Sequence, residues 1–175
     1  MVDCPQKLPL YFLILLALLM PFVESAADRG TAHAAPAPAG PSAPQTQGMT
    51  EDYSEAMLWY NWRAEQGHVD AQFYLGLMHA LGKGVPRDYE KAAMWYRKAA
   101  DQGYADARFE LGRLYAVGDG VPQDLIQAYI WTGLAADQGH DKAVEILEIL
   151  ALQMSPAQLA EAQQSLRKML PKKQQ

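Results

Sequence analysis

From residue 52 onward, apolar residues recur at the three- and four-residue spacing of amphipathic helices. An Asp stands before the first helix of each predicted pair, where its carboxylate can accept hydrogen bonds from free backbone amides. A Gly follows that helix, because glycine adopts the left-handed conformation of a helix end without strain. The aspartates are Asp52, Asp88 and Asp124, and the glycines are Gly67, Gly103 and Gly139. Helices this short must pack against each other to bury their apolar stripes, so the pattern predicts antiparallel pairs.

The helix pairs recur every 36 residues. Residues 52–87 and 88–123 align without a gap and share half of their positions, including every Gly and Pro. A third copy begins at 124 and loses the pattern after 150, and a Ser-Pro start at 155–156 predicts a last helix to about 169. Repetition at this period is typical of solenoids. The predicted fold is therefore all-α, a superhelix (solenoid) of about three antiparallel helix pairs with a C-terminal capping helix.

The first 27 residues have the pattern of a secretory signal. Lys7 precedes an apolar run at 10–20, and small residues at 25–27 offer cleavage after Ser25 or Ala27. The run has 11 residues, whereas a membrane-spanning helix needs roughly 20. We interpret residues 1–27 as a cleaved signal peptide, with an uncleaved anchor as the alternative. The predicted location is the periplasm or the outside of a bacterial cell, and the signal peptide is the only expected contact with a membrane.

Three further segments complete the predicted organisation. Residues 28–49 are rich in Pro, Ala and Gly and lack core-forming side chains, which indicates a disordered linker. It is either a spacer or a connection without a specific role. Residues 50–170 form the predicted repeat domain, and residues 171–175 a basic tail.

Composition and charge exclude several kinds of partner and site. The chain is 50% apolar and 20% charged, as expected of a folded protein. Its net charge is −5, or −4 without residues 1–27, because that segment carries two acidic residues and one basic residue. A mildly acidic protein is a poor ligand for nucleic acid. Cys4 is the only cysteine, so a cleaved chain has no thiol for disulfides, catalysis or zinc binding.

Candidate chemistry is sparse. His68 and His140 occupy the same repeat position, which indicates a role in the loop, and His79 replaces an aromatic residue of the core. No metal-ligand spacing is found, and Gly82-Lys83-Gly84 lacks the surroundings of a phosphate-binding loop. We therefore predict no catalytic residue, no metal and no cofactor. One alternative is a cell-wall-related enzyme or inhibitor built on the same scaffold, and the other is a self-assembling structural module.

Two spaced motifs give the chain a resemblance to a known family. One runs from Leu111-Gly112 through Tyr115 and Ala116 to the Gly-x-Gly-Val-Pro loop at 118–122. The other, at 88–103, reads Asp-Tyr-x-x-Ala-x-x-Trp-Tyr and then Ala-Ala-x-x-Gly. Together they resemble Sel1-like repeats (SLR), a branch of the tetratricopeptide-like solenoids, over about residues 51–170.

The resemblance implies right-handed superhelical packing and a role as a protein–protein adaptor, often in bacterial envelope or signalling assemblies. In this family the unit is usually counted from the second helix, which gives 68–103 and 104–139. Two positions depart from the pattern. His79 stands where the next unit has Tyr115, and Glu148 replaces a helix-packing glycine, so the third unit is less regular.

A curved stack has a concave face, which we expect the second helix of each pair to line. Phe73 and Phe109 are its most suggestive residues, because large apolar groups are typical interface anchors; packing between repeats is the alternative for both. The candidate partner-binding residues are Asp70, Phe73, Leu77, Asp106, Phe109 and Arg113. Trp62 is a candidate at the N-terminal edge, for a partner, for the linker or for self-association. The predicted partner is a protein or peptide.

Overall fold

The computed structural model describes residues 53–170. The predicted signal peptide, linker and basic tail lie outside these residues. The described part forms seven helices and no strand, which confirms the prediction of an all-α helical repeat. The helices are α1 Tyr53–Glu65, α2 Val69–Leu81, α3 Tyr89–Asp101, α4 Ala105–Val117, α5 Leu125–Asp137, α6 Asp141–Gln153 and α7 Pro156–Met169. None of these helices has both the length and the apolar character required to cross a membrane.

Side-chain caps fix the starts of three helices. The Asp88 carboxylate accepts from the Lys91 amide at 3.0 Å, and this bond lowers the pKa of Asp88. Asp124 accepts from two amides at the start of α5, at 2.9 and 3.0 Å. At α7, Ser155 and Gln158 form a reciprocal capping box. The helix starts predicted at 88, 124 and 155 are confirmed.

Each helix from α1 to α5 packs on the helix that follows it. Two glycines permit the closest of these contacts. A Cβ at Gly76 of α2 would lie 2.5 Å from the Tyr96 ring of α3. A Cβ at Gly112 of α4 would overlap the Thr132 hydroxyl of α5 and lie 3.1 Å from a backbone oxygen. Because both positions lack a side chain, helices of successive pairs approach to a distance that a Cβ atom would prevent.

The core runs continuously from α2 to α5. Alanines fill the narrow contacts, and larger side chains fill the spaces between pairs. Leu75, Tyr96, Leu111 and Leu114 are completely buried. Each buried side chain of this size stabilises the fold by about 1.5–3 kcal/mol relative to full exposure.

Polar side chains hold the short loops within each helix pair and between neighbouring pairs. Gln72 donates to the Ala64 carbonyl at 3.2 Å, and its repeat equivalent, Arg108, donates to the Ala100 carbonyl at 3.0 Å. Both carbonyls lie in the last turn of a helix, and each also accepts from the backbone N–H of the loop glycine that follows, Gly67 or Gly103. Gln138 donates to a backbone carbonyl 35 residues earlier, at 2.9 Å, and so joins two successive loops. Hydrogen bonds as well as apolar packing therefore fix the alignment of the helices in the stack.

The last helix departs from the repeat. Helix α7 packs on α5, where Leu166 lies against Gly133, and not mainly on its predecessor α6. The link between α6 and α7 is two residues, whereas seven residues, 82–88, join α2 and α3. Glu148, exposed on α6, stands at the position of the packing glycines. The predicted C-terminal helix is confirmed, but it covers α5 and leaves one side of α6 open, with Leu152 85% exposed.

Substitution of Gly112 by Ala tests the close helix contact. Alanine favours helix over glycine by about 1 kcal/mol in an open position. At Gly112 the added methyl group overlaps α5, so we expect the free energy of unfolding to fall by about 1–3 kcal/mol. Urea denaturation measures the change. Glu148→Ala is the matched control at the equivalent position and should stay within about 0.5 kcal/mol of the unmodified protein; equal effects in both variants would contradict the role of the glycine.

Candidate functional site

The six candidate residues lie at equivalent positions of two helices. Asp70, Phe73 and Leu77 are on α2, and Asp106, Phe109 and Arg113 follow on α4 at the same repeat positions. Equivalence in the repeat does not give them equal surroundings. Their exposure and contacts decide which of them a partner can reach.

Phe73 is a core residue. Its side chain is 5% exposed, and its ring centroid lies 5.0 Å from that of Tyr104 and 5.7 Å from that of Tyr96. The same burial, with a contribution from Asp106, raises the pKa of Tyr104 to about 12. Packing between repeats therefore accounts for Phe73, and it offers almost no surface to a partner. For Phe73, this burial favours the alternative of packing between repeats.

Phe109 has a different neighbour and remains partly exposed. Its ring stacks on the His140 imidazole, with the centroids 4.3 Å apart and the planes 20° apart. Nε2 of His140 lies 3.6 Å from the Asp106 carboxylate. Tyr104 occupies the position of His140 in the preceding unit, so the smaller imidazole replaces a phenol ring here. Phe109, His140 and Asp106 together form one cluster at the start of α4.

Arg113 is fixed by a neighbour on its own helix. Its Nε donates to the Glu110 carboxylate at 2.9 Å, and both side chains are mostly covered. Burial lowers the pKa of Arg113, but the Glu110 carboxylate outweighs it, and the pKa is raised. Sequence reasoning missed Glu110, although its three-residue spacing from Arg113 is the signal of an ion pair along a helix.

The carboxylates of Asp70 and Asp106 remain accessible. Their side chains are 50% and 51% exposed, and each lies 3.6 Å from a cationic or titratable group, Arg63 for Asp70 and His140 for Asp106. Exposed pairs of this kind contribute little to stability, so both carboxylates can exchange partners. Leu77 is partly exposed on the same side of α2. We call Asp70, Leu77, Asp106, Phe109 and Arg113 the recognition face.

Trp62 lies on α1, apart from the recognition face, and is partly buried. Its repeat equivalents are an exposed Lys98 and a buried Leu134. His79 is buried, as expected of a residue that replaces a core aromatic, and burial lowers its pKa. Within residues 53–170, no three His, Cys, Asp or Glu residues lie close enough together to hold a metal ion.

Comparison with known proteins identifies the repeat. A family model described as Sel1 repeat matches residues 45–68, 69–104 and 105–140. The chain is similar to a protective antigen of uropathogenic Escherichia coli with an SLR fold, at 34% identity and a TM-score of 0.66. The match covers 70% of this chain and 26% of the antigen, so this chain spans about a quarter of its length.

A second solved structure, a Sel1 repeat protein from Oxalobacter formigenes, is 41% identical with a TM-score of 0.53. That match covers 54% of this chain and 71% of the other. No curated protein matches the chain.

Alanine substitution should separate the two equivalent phenylalanines. Phe73→Ala leaves a cavity in the core and should lower the free energy of unfolding by about 3–5 kcal/mol. Phe109→Ala removes a partly exposed ring and should cost roughly 1–2 kcal/mol. Urea denaturation of the two variants makes the comparison. Equal losses would contradict the different surroundings of the two rings.

Proposed function

Because the chain belongs to the Sel1 repeat family, whose members are protein–protein interaction scaffolds, we propose that it is an exported bacterial adaptor. In this proposal the recognition face binds a protein or peptide segment in the cell envelope. The chain has no catalytic role. Its partner supplies the biochemical activity, and the repeat supplies a rigid surface.

The cluster around Phe109 is the observation that carries this proposal. A partly exposed aromatic ring lies beside a half-exposed carboxylate on the same helix as a fixed Arg–Glu pair. Aromatic side chains and arginines are the residues most often found as anchors of interfaces. The packing of the repeat does not require this arrangement, because the preceding unit buries its phenylalanine under a tyrosine.

The charges of the recognition face suggest the chemistry of the partner. Asp70 and Asp106 hold the same repeat position and are both accessible. Basic side chains of a bound segment could pair with them, while an apolar side chain packs on Phe109. A segment with Lys or Arg on either side of an apolar residue fits this face best, and salt should weaken its binding.

Variants of Phe109 and Asp106 test the binding surface. Partners captured by the immobilised protein from an envelope extract are identified, and their affinity is then measured by calorimetry. Phe109→Ala combined with Asp106→Arg should weaken binding at least tenfold, equivalent to about 1.4 kcal/mol. Glu161→Arg, the same charge change on α7, is the control and should bind normally. Unchanged affinity in the double variant, with an unchanged circular dichroism spectrum, would sink the proposed surface.

The proposed export rests on the pattern of residues 1–27. Mass spectrometry of the protein from fractionated cells should find a mature chain that begins at Ala26 or Asp28. Leu15→Arg places a charge in the apolar run, so this variant should keep its full length in the cytosol. Recovery of the unmodified protein in the cytosol with an intact N-terminus would contradict export.

A further inference from the structure

The first helix that the structure describes, α1, exposes a position that the later described units bury. Trp95 of α3 is 9% exposed and shares a core cluster with Ala64 of α1 and Leu75 of α2. Trp131, the next equivalent, is 5% exposed and lies below the Arg97 guanidinium of α3. In both units this tryptophan faces the preceding helix pair. Trp59 holds the same position on α1, and it remains partly exposed.

The residues around Trp59 form a stripe with opposite charges at its ends. Glu55 and Arg63 lie four residues before and after Trp59, so all three share one side of α1. The Arg63 guanidinium lies 4.8 Å from the centre of the Trp59 ring. It also lies 3.6 Å from the Asp70 carboxylate of α2, and its side chain is 21% exposed. Its Nε is buried and has no hydrogen-bond acceptor within the described residues. Leu58 and Trp62 border this stripe, and Leu58 is 66% exposed.

This stripe is complementary to a second copy of itself when the two helices run antiparallel. With Trp59 at the centre, Glu55 of one copy lies opposite Arg63 of the partner subunit, and two-fold symmetry forms the same pair again. The two tryptophans then meet on the axis and lose their remaining exposed surface. We propose that the chain forms a two-fold symmetric dimer through antiparallel α1 helices, centred on Trp59 and joined by Glu55–Arg63 ion pairs.

The open side of α6 is not complementary in charge to a second copy of itself. Its exposed residues Val144 and Leu152 lie four residues on either side of Glu148. An antiparallel pair of α6 helices would place two Glu148 carboxylates opposite each other, which is unfavourable. Contact between α1 of one copy and α6 of another would join the copies head to tail, which builds an open filament and not a closed dimer. The charge pattern therefore favours α1 as the surface for a closed dimer.

The dimer should be weak and sensitive to salt. Helix α1 has 13 residues and is about 20 Å long. A single helix pair of this length buries less than the roughly 1,600 Å² of a standard interface, so we expect a dissociation constant in the micromolar range. The two ion pairs lie at the edge of the contact, where added salt screens them.

Analytical ultracentrifugation of the protein recovered from expressing bacteria tests the dimer across the micromolar range. Glu55→Arg and Arg63→Glu each place like charges opposite one another, and each variant alone should be monomeric. An equimolar mixture of the two should dimerise again, because unlike charges then face each other in both pairs. Arg63→Gln should weaken the dimer at least tenfold without adding a charge beside Asp70.

Glu161→Arg on α7 makes the same charge change as Glu55→Arg, far from Trp59 in sequence, and should leave the dimer intact. Circular dichroism and thermal unfolding verify that each variant is folded. An unmodified protein that stays monomeric throughout overturns the proposal. A dimer that survives both charge reversals, or a mixture of the two variants that stays monomeric, overturns the α1 surface and its antiparallel register. Arg63 also pairs with Asp70 of the recognition face. The Glu55→Arg variant changes neither of these residues, so its result separates failure of the dimer from failure of partner binding.

Discussion

Close contact between helices at Gly76 and Gly112 is the constraint on which the rest of the stack depends. Dispersion attraction falls off within an ångström of the optimal distance, so helices gain from packing only when their surfaces meet. The two glycines remove the side chains that would hold the pairs apart. Alanines along the same interfaces then become completely buried, and the aromatic residues fill the remaining space. Every unit that retains the glycine repeats this contact.

The two ends of the stack differ from its middle because this constraint is absent there. At the C-terminal end, Glu148 takes the place of the glycine, and α7 packs on α5 through Leu166 and Gly133. At the N-terminal end, Trp59 has no earlier helix pair within the described residues. The repeat thus produces two different open surfaces, one acidic at its centre and one with opposite charges about a tryptophan. A solenoid usually needs modified ends to stay soluble.

In a repeat scaffold, binding depends on the side chains that do not take part in packing between repeats. Phe73 and Phe109 show the difference, because the same residue at the same position is buried beside Tyr104 in one unit and stacks on His140 in the next. Phe73 has the aromatic neighbours Tyr74, Tyr96 and Tyr104. Glu110, Thr132 and His140 hold the equivalent positions around Phe109, which is partly exposed. The recognition face therefore arises from a small local departure on a regular framework.

The sequence by itself determined the helices, their caps and the period of the stack, because helix spacing, N-cap aspartates and loop glycines act over a few residues. It also determined the family, since the motifs keep their spacing over two units. Only the tertiary structure decided that Phe73 is covered, that Arg113 is held by Glu110 and that α7 turns onto α5. Exposure depends on residues about 30 positions away in the chain, as with Phe73 and Tyr104, and the periodicity of one helix does not report such contacts. The equivalent phenylalanines are identical in sequence pattern, and only their neighbours across the stack distinguish a core residue from a candidate binding residue.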